Sequence, residues 1–351
     1  MRKEISIYTI SPLLTIKEAM EKINLFLAGS TLFVVNEYNV VLGTVTDGDI
    51  RRGILNGISI LDKVDSVMQK SFKFLINGSY YNDKLEEFKN KNINMIPLLD
   101  SQNKLLKVYD LTKLNSILPI DAVIMAGGRG ERLKPLTDSI PKPLLRIGSK
   151  PIIEHNIDRL IFNGIDHFHI SVNYLGNLIK DYFEDGINKE IVIKYIDEEK
   201  PMGTIGAVSK IGNSIKNDNV LLMNSDLLTN IDYADFYKKF IESEADMIVA
   251  TIPYHVDVPY AVMEINKSEE VVSFKEKPRY TYYSNAGIYL FKKELINLIP
   301  TNEKFDATHF MEKIIAEKKK LISYPVLGYW LDIGRMDDYY KAQEDIKHLK
   351  M

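Results

Sequence analysis

No cysteine occurs among the 351 residues. That excludes disulfides, thiol nucleophiles and cysteine–zinc sites, and a reducing, cytoplasmic compartment fits it. Charge of one sign is also missing, since the formal net charge is only -3. A chain so balanced has no global attraction for nucleic acid or an anionic membrane, so a polyanionic substrate would need a local cluster of Lys and Arg. No apolar run approaches the roughly 20 residues of a membrane span. After Met1-Arg2-Lys3, the residues Glu4, Pro12, Lys17 and Glu18 interrupt any signal-peptide pattern. Histidines are few, and none forms His-Glu-x-x-His. His167 and His169 alternate in a predicted strand and read as structural.

The chain is long enough for two or three domains, and its character changes near residue 120. Two similar passages precede that point. Thr15 to Phe26 has a helical pattern with Ile16, Ala19, Met20, Ile23 and Phe26 apolar. Strand-like Leu32–Val35, a turn at Asn36–Asn39, strand-like Val40–Val45 and a helix start near Asp47 follow. The second passage repeats the order: helical Leu85–Phe88, extended Met95–Leu99, a turn at Asp100–Asn103, extended Leu105–Tyr109. The two turns lie about 64 residues apart, the size of one small α/β module.

Gly43-Thr44-Val45-Thr46-Asp47-Gly48-Asp49, followed by Ile50-Arg51-Arg52, resembles the end of a cystathionine-β-synthase-type (CBS) repeat. Residues 1–118 resemble a tandem pair, with repeats at about 1–60 and 61–118. The resemblance implies a regulatory nucleotide site in which Thr46 meets phosphate and Asp49 the ribose hydroxyls. An ionised carboxylate only accepts, and a ribose diol offers two donors. In the second repeat Lys107, Asp110 and Lys113 stand where glycine, Ser/Thr and Asp are expected. A dimerisation or spacing module is the other reading of the pair, which leaves a homo-oligomer open.

From Ile120 onward the chain reads as an alternating α/β domain over 119–351. Strands are expected at 121–126, His167–Val172, Ile191–Ile196, Val220–Met223 and Met247–Ile252, with helices at Pro151–Phe162 and Tyr233–Ile241. Strands at Ala261–Ile265, Val271–Lys275 and Ala286–Phe291 follow without long helices between them. The expected sheet is mixed, parallel first and antiparallel later.

The first of these strands runs into Ala126-Gly127-Gly128-Arg129-Gly130-Glu131-Arg132-Leu133-Lys134-Pro135-Leu136-Thr137, and Lys142 follows in Pro141-Lys142-Pro143. Adjacent glycines let main-chain N–H groups approach phosphate oxygens, and arginine binds phosphate bidentately. The string is neither a Walker P-loop nor the Rossmann fingerprint. It resembles the signature of the sugar-phosphate nucleotidyltransferases over about residues 120–346. The fold so implied is α/β, a Rossmann-like mixed-sheet domain preceded by the tandem CBS module. Lys134 alone reads as a solvated loop cation.

Asn219–Asp226 is an apolar run ending in an acid, and Asp332 follows the only tryptophan in Trp330-Leu331-Asp332-Ile333-Gly334. By resemblance Asp226 and Asp332 hold Mg²⁺, which commonly binds through one or two carboxylates plus substrate phosphates. Glu276-Lys277-Pro278 and Asn285-Ala286-Gly287 match sugar-side motifs, implying Glu276 on sugar hydroxyls and Lys277 on the sugar phosphate. Asn173 and Tyr260 are further candidates for that pocket. Glu198-Glu199-Lys200-Pro201-Met202-Gly203-Thr204 resembles the loop that reads the base, with Gly203 and Thr204 in the nucleotide site. Pyrimidine-using relatives carry glutamine where this chain has Glu198. Guanine presents two donors, which suit a carboxylate; uracil and thymine present acceptors beside one donor.

The resemblance therefore implies transfer of a nucleotidyl group, GTP favoured over UTP or dTTP, onto a sugar 1-phosphate. Arg132, Lys142, Asp226 and Asp332 would be the catalytic set. CBS-fused members with such a loop resemble enzymes of bacterial sugar-nucleotide supply, as for legionaminic acid. That favours glucosamine 1-phosphate, with mannose or heptose phosphates as alternatives. The rival of another class is a CBS nucleotide sensor with a silent transferase domain. The intact glycine loop, Lys142, Asp226 and Asp332 count against it.

Overall fold

Two three-stranded sheets on one plan occupy the chain up to Ile117 in the computed structural model, which describes residues 2–25, 31–76 and 82–349. β1 (Thr9–Ile10), β2 (Thr31–Val35) and β3 (Val41–Thr46) lie in that order, the first pair parallel and the second antiparallel. β4 (Leu75–Ile76), β5 (Met95–Leu99) and β6 (Leu105–Asp110) repeat the order and both senses. Even the register shift recurs, at Val34/Val35 and Leu98/Leu99.

Helices α1 (Arg2–Ile7), α2 (Ile16–Ile23), α3 (Asp47–Leu55) and α4 (Asn82–Asn90) complete this unit. α2 buries Ile16 and Ala19, as its apolar spacing requires. Phe26, which the same pattern assigns to that face, lies outside the described residues. No helix follows β6; instead Asp110 accepts from the Thr112 N–H and hydroxyl and closes a turn. The turns of the two repeats meet. Val41 N–H donates to Asn103 O, and Leu105 N–H to Asn39 O, while Asn39 and Asn103 both take positive φ. Beneath them Phe33, Val41, Leu99 and Leu105 form one buried cluster from both repeats.

The second unit, Leu118–Met351, is built on a seven-stranded sheet. In chain order its elements are β7 (Ile120–Met125), the short pair β8 (Arg146–Ile147) and β9 (Lys150–Pro151), α5 (Ile152–Phe162), β10 (His167–Val172), α6 (Gly176–Phe183), β11 (Val192–Asp197), β12 (Asn219–Asn224), β13 (Leu227–Thr229), α7 (Tyr233–Glu242), β14 (Met247–Asp257), β15 (Val262–Ile265), β16 (Val271–Lys275), β17 (Arg279–Lys292), α8 (Ala307–Ala316), β18 (Leu321–Pro325), β19 (Trp330–Asp332) and α9 (Met336–Asp345). Pro151 is the residue before α5 rather than its first turn.

The sheet order is β11-β10-β7-β12-β17-β14-β18. The first four strands are mutually parallel, but the expected antiparallel half reduces to β17 alone. β14 is antiparallel to β17 and β18 parallel to β14, so both run with the first four. The cause is connectivity: the chain leaves β14 through the β15–β16 hairpin and returns as β17 between β12 and β14.

One sheet face packs Val123, Val220, Leu222 and Phe291 against Phe310 and Ile314 of α8. Phe291 and Phe310 meet edge to face, ring centroids 5.3 Å apart, and full burial of each such ring contributes about 1.5–3 kcal/mol. At the amino end of β7, Asp121 is fully buried. Burial alone would raise its pKa, but bonds from His169, the Lys216 and Asn217 N–H groups and the Asn217 side chain hold it below the usual carboxylate range. His169 thus sits in the core beside Asp121, and His167 bonds Asp166. No described helix is long and apolar enough to cross a membrane.

Candidate functional site

Four adjacent parallel strands end on the same edge, the usual position of ligand sites in open α/β sheets. β7 leads into Ala126–Gly130, β10 into Asn173, β11 into Glu198 and β12 into Asp226. Backbone bonds carry the alignment past the strand ends: Ala126 N–H donates to Ser171 O, Glu198 N–H to Val172 O and Ser225 N–H to Met125 O.

The glycine loop is shaped by its neighbours. A Cβ on Gly127 would lie 2.8 Å from Glu198 Oε1, so a side chain there would push on that carboxylate. Gly130 takes φ +64, and a Cβ would stand 3.0 Å from both Lys142 Cβ and Thr137 Cγ2. The Thr137 hydroxyl donates to Gly130 O at 2.9 Å and closes the loop on itself. At Gly128 a side chain would meet nothing within 4 Å, so that backbone faces open space.

β13 and β19 pair antiparallel with Leu227 opposite Asp332, which brings two acids distant in sequence side by side. Ile333 N–H donates to Asp226 O and holds the register. Lys142, 11% exposed, donates to Asp226 Oδ2 and stands 4.0 Å from Asp332 Oδ1. The Arg132 guanidinium lies against Gly334, two residues beyond Asp332. So Arg132, Lys142, Asp226 and Asp332 are gathered at one place. Lys134 is not among them; it is exposed, 3.9 Å from Asp138. Arg129 rests over the Tyr174 ring.

The two acids suit a divalent cation. Asp226 Oδ1 is buried with no hydrogen-bond partner. Asp332 has its carboxyl pushed above the usual range by burial and by the neighbouring negative charge of Asp226, against the opposing pull of Lys142 and Arg132. A buried oxygen without a donor and a carboxylate crowded by its neighbour both gain from a hard cation. No cluster of three or more His, Asp or Glu stands ready for a metal among the described residues. The arrangement therefore fits an ion such as Mg²⁺ held by two carboxylates plus substrate phosphates.

Glu198 is buried, not solvated. Oε1 accepts from the Ser171 hydroxyl at 2.5 Å and Oε2 from Met202 N–H at 2.9 Å, while Asn173 Nδ2 donates to the Glu198 backbone oxygen. The loop beyond it is clamped to α8. Thr204 N–H donates to Asp306 Oδ1, Thr204 Oγ1 accepts from Ala307 N–H, and a Cβ on Gly203 would lie 2.6 Å from Phe305 O. Gly203 and Thr204 thus lock the loop onto a helix start, and Asp306 was not foreseen.

The sugar-side motifs divide. Asn285 spends its side chain locally, donating to Tyr289 Oη and accepting from Gly287 N–H. Gly287 has φ +72, and a Cβ there would stand 2.7 Å from Asn224 Nδ2, so this turn abuts the end of β12 beside Asp226. Trp330 Nε1–H donates to Ala286 O and joins the same wall. Glu276, Lys277 and Tyr260 are exposed on the hairpin side, with no hydrogen bond or ion pair to the Lys142–Asp226–Asp332 group.

In the N-terminal unit, Thr46 and Asp49 occupy each other. Thr46 N–H and hydroxyl donate to Asp49 Oδ2, Asp49 N–H donates to Thr46 Oγ1, and Arg52 bonds Asp49 Oδ1 at 2.5 Å. The pair is a capping box at the start of α3. Missed in the sequence were Ser171, Asn224 and Asp306. Ser171, a polar residue inside an apolar strand, carried the one usable signal.

A nucleotidyl transferase family model matches residues 121–348, and a CBS domain model matches residues 1–56. The D-glycero-α-D-manno-heptose 1-phosphate guanylyltransferase of Aneurinibacillus thermoaerophilus is 32% identical over 65% of this chain and 99% of its own. The Mycobacterium tuberculosis mannose-1-phosphate guanylyltransferase is 29% identical over 65% of this chain, which spans 64% of that longer protein. Among solved structures, HddC from Yersinia pseudotuberculosis complexed with GMP-PN is 27% identical, covers 65% of this chain and 99% of its own, and has a TM-score of 0.51. A Bacillus anthracis structure assigned as a glucose-1-phosphate thymidylyltransferase, 22% identical over 66% of this chain and 97% of its own with a TM-score of 0.54, shares the fold.

Proposed function

We propose, for a chain that belongs to the nucleotidyl transferase family and carries a CBS domain at its N-terminus, that it transfers a guanylyl group from GTP to a sugar 1-phosphate. The observation that carries this reading is the grouping of Lys142, Asp226 and Asp332 at the strand edge that bears the glycine loop. An oxygen of the sugar phosphate forms a bond to the α-phosphorus, the bond from that phosphorus to the bridging oxygen breaks, and its electron pair leaves with pyrophosphate. The attacking phosphate is already ionised, so no general base is needed. What remains for the chain is positioning and neutralisation.

Main-chain N–H groups of the glycine loop, with Arg132 and Lys142, hold the triphosphate. Asp226 and Asp332 would hold Mg²⁺, which supplies Lewis-acid neutralisation of phosphate charge when bound. Glu276 and Lys277 take the sugar and its phosphate. Glu198 faces the base. Each of its oxygens keeps a free lone pair beyond the bonds from Ser171 and Met202, and guanine N1–H and the 2-amino group match them.

The relatives' names carry heptose and mannose phosphates. Glucosamine 1-phosphate is the sugar proposed, and those two are its competitors. Pyrophosphate release from GTP, UTP, dTTP and ATP, each with the three sugar phosphates, tests the proposal. Turnover with GTP and one of the sugars is the expected result. No release with any pair would return the chain to the nucleotide-sensor reading.

A further inference from the structure

A glutamate cannot hold its own carboxylate still, because its last torsion joins sp³ and sp² carbons and turns in a broad, shallow well. Two donors fix the Glu198 carboxylate, one on each oxygen. The Ser171 hydroxyl belongs to β10, which is paired on both sides, so the sheet sets its place. The Met202 N–H has no such strand behind it. Exposed Glu199, Lys200 and Pro201 precede it, and Gly203 at φ +77 follows. A glycine leaves such a turn free to take other shapes. What fixes this turn is a seam of bonds to Phe305, Asp306 and Ala307. Phe305 N–H donates to Met202 O at 3.0 Å, and Phe305 O accepts from the Ile205 and Gly206 N–H groups at 3.1 Å each.

Two side chains complete the seam by exchanging duties. Asp306 is the N-cap of α8, a position whose side chain ordinarily bonds its own helix, yet this carboxylate makes no such bond. Its Oδ1 accepts from Thr204 N–H at 3.0 Å. The Ala307 N–H, first in α8, donates in turn to the Thr204 hydroxyl at 2.7 Å. The helix is a firm post, since Phe310 and Ile314 lie in the same buried cluster as Met202 and Ile205. We infer that Asp306 is a positioning residue for base selection: it holds the turn that carries the Met202 N–H, and through that N–H the Glu198 carboxylate, where the two donors of guanine meet it. The inference rests on Glu198 as the reader of the base. A carboxylate that turns away loses the two-point match to guanine, whereas uracil draws on no such match.

Asp306→Asn and Asp306→Ser make a matched pair. Both remove the charge, and both residues are favoured N-caps, so the two melting curves should coincide. Only asparagine keeps an Oδ1 within reach of Thr204 N–H; the serine oxygen stands a bond nearer the backbone and caps α8 instead. The ratio of kcat/KM for GTP to that for UTP cancels any change in attraction for the triphosphate. Asp306→Asn should keep that ratio within about twofold, and Asp306→Ser should lower it about tenfold through the KM for GTP, with kcat unchanged. Amide exchange followed by NMR reads the chain itself: the Met202 amide should exchange several-fold faster in Asp306→Ser than in Asp306→Asn. Equal ratios or equal Met202 exchange in the two variants overturn the inference. Glu198→Gln in the same assay separates the two readings. If it leaves the ratio unchanged, the base reading fails and the inference with it; if it narrows the ratio and Asp306→Ser does not, the inference fails alone.

Discussion

Lys142 donates to only one oxygen of Asp226, and the other, Oδ1, is buried with no partner. An acceptor left this way costs about 1–3 kcal/mol, so the acid is poised for a cation that arrives with substrate. Asp226→Asn and Asp332→Asn should each lower turnover at least about a hundredfold in chains that remain folded. Chelation should abolish activity and added Mg²⁺ restore it. Near-normal turnover in both folded variants would remove these residues from catalysis.

Lys142→Met separates the structural and chemical roles of that ion pair. Removing the ammonium leaves the mostly buried Asp226 carboxylate uncompensated, a loss of up to about 3–5 kcal/mol. Lys142→Met with Asp226→Asn should regain much of that stability and none of the turnover. Denaturant unfolding and initial rates on the same preparations give both readings.

Glu198→Gln should narrow the preference for GTP over UTP about ten- to hundredfold, mainly by loss of GTP activity. The Met202 N–H can only donate, so the new amide must turn its oxygen there and its NH₂ toward Ser171, whose hydroxyl can rotate to accept. The side chain stays in place while one acceptor for guanine disappears. Ser171→Ala should shift the same ratio less. The measurement is kcat/KM for each triphosphate with one accepted sugar phosphate.

At the start of α3, Thr46→Ala or Asp49→Ala removes half of a capping box and should cost the N-terminal unit about 1 kcal/mol. Calorimetric titration of the full chain with AMP, ADP and ATP shows whether the pair also takes a ligand. A phosphate that takes the Thr46 hydroxyl proton displaces its bond to Asp49 Oδ2, while Oδ1 keeps room for a ribose hydroxyl, so Asp49→Ala should weaken any binding. Unchanged melting in both variants would contradict the cap.

Much of this was legible where chemistry is local. The apolar run ending at Asp226 stands beside its expected bounds, because burial on both faces demands continuous apolar residues, and the strand His167–Val172 stands at its own, where Phe168, Ile170 and Val172 alternate with His167, His169 and Ser171. β17 is the counterexample. It begins at Arg279, seven residues before the expected Ala286, since Tyr280–Ser284 are held by pairing to β14 rather than by burial. Likewise nothing near Glu198 in the sequence announces Ser171, 27 residues earlier on the neighbouring strand. Thr46-x-x-Asp49 shows a different obstacle. The same two oxygens that suit a ribose and a phosphate also suit a helix start, and spacing alone does not separate the two uses.

The crossed turns of the N-terminal unit bear on its inheritance. A CBS domain model matches residues 1–56, and Asn39 and Leu105 trade bonds across the repeats, while Phe33 and Val41 share their cluster with Leu99 and Leu105. A recombination break between the repeats would strip each of half its floor. The two sheets therefore have to be inherited together for the Asn39–Leu105 bonds and the shared cluster to survive.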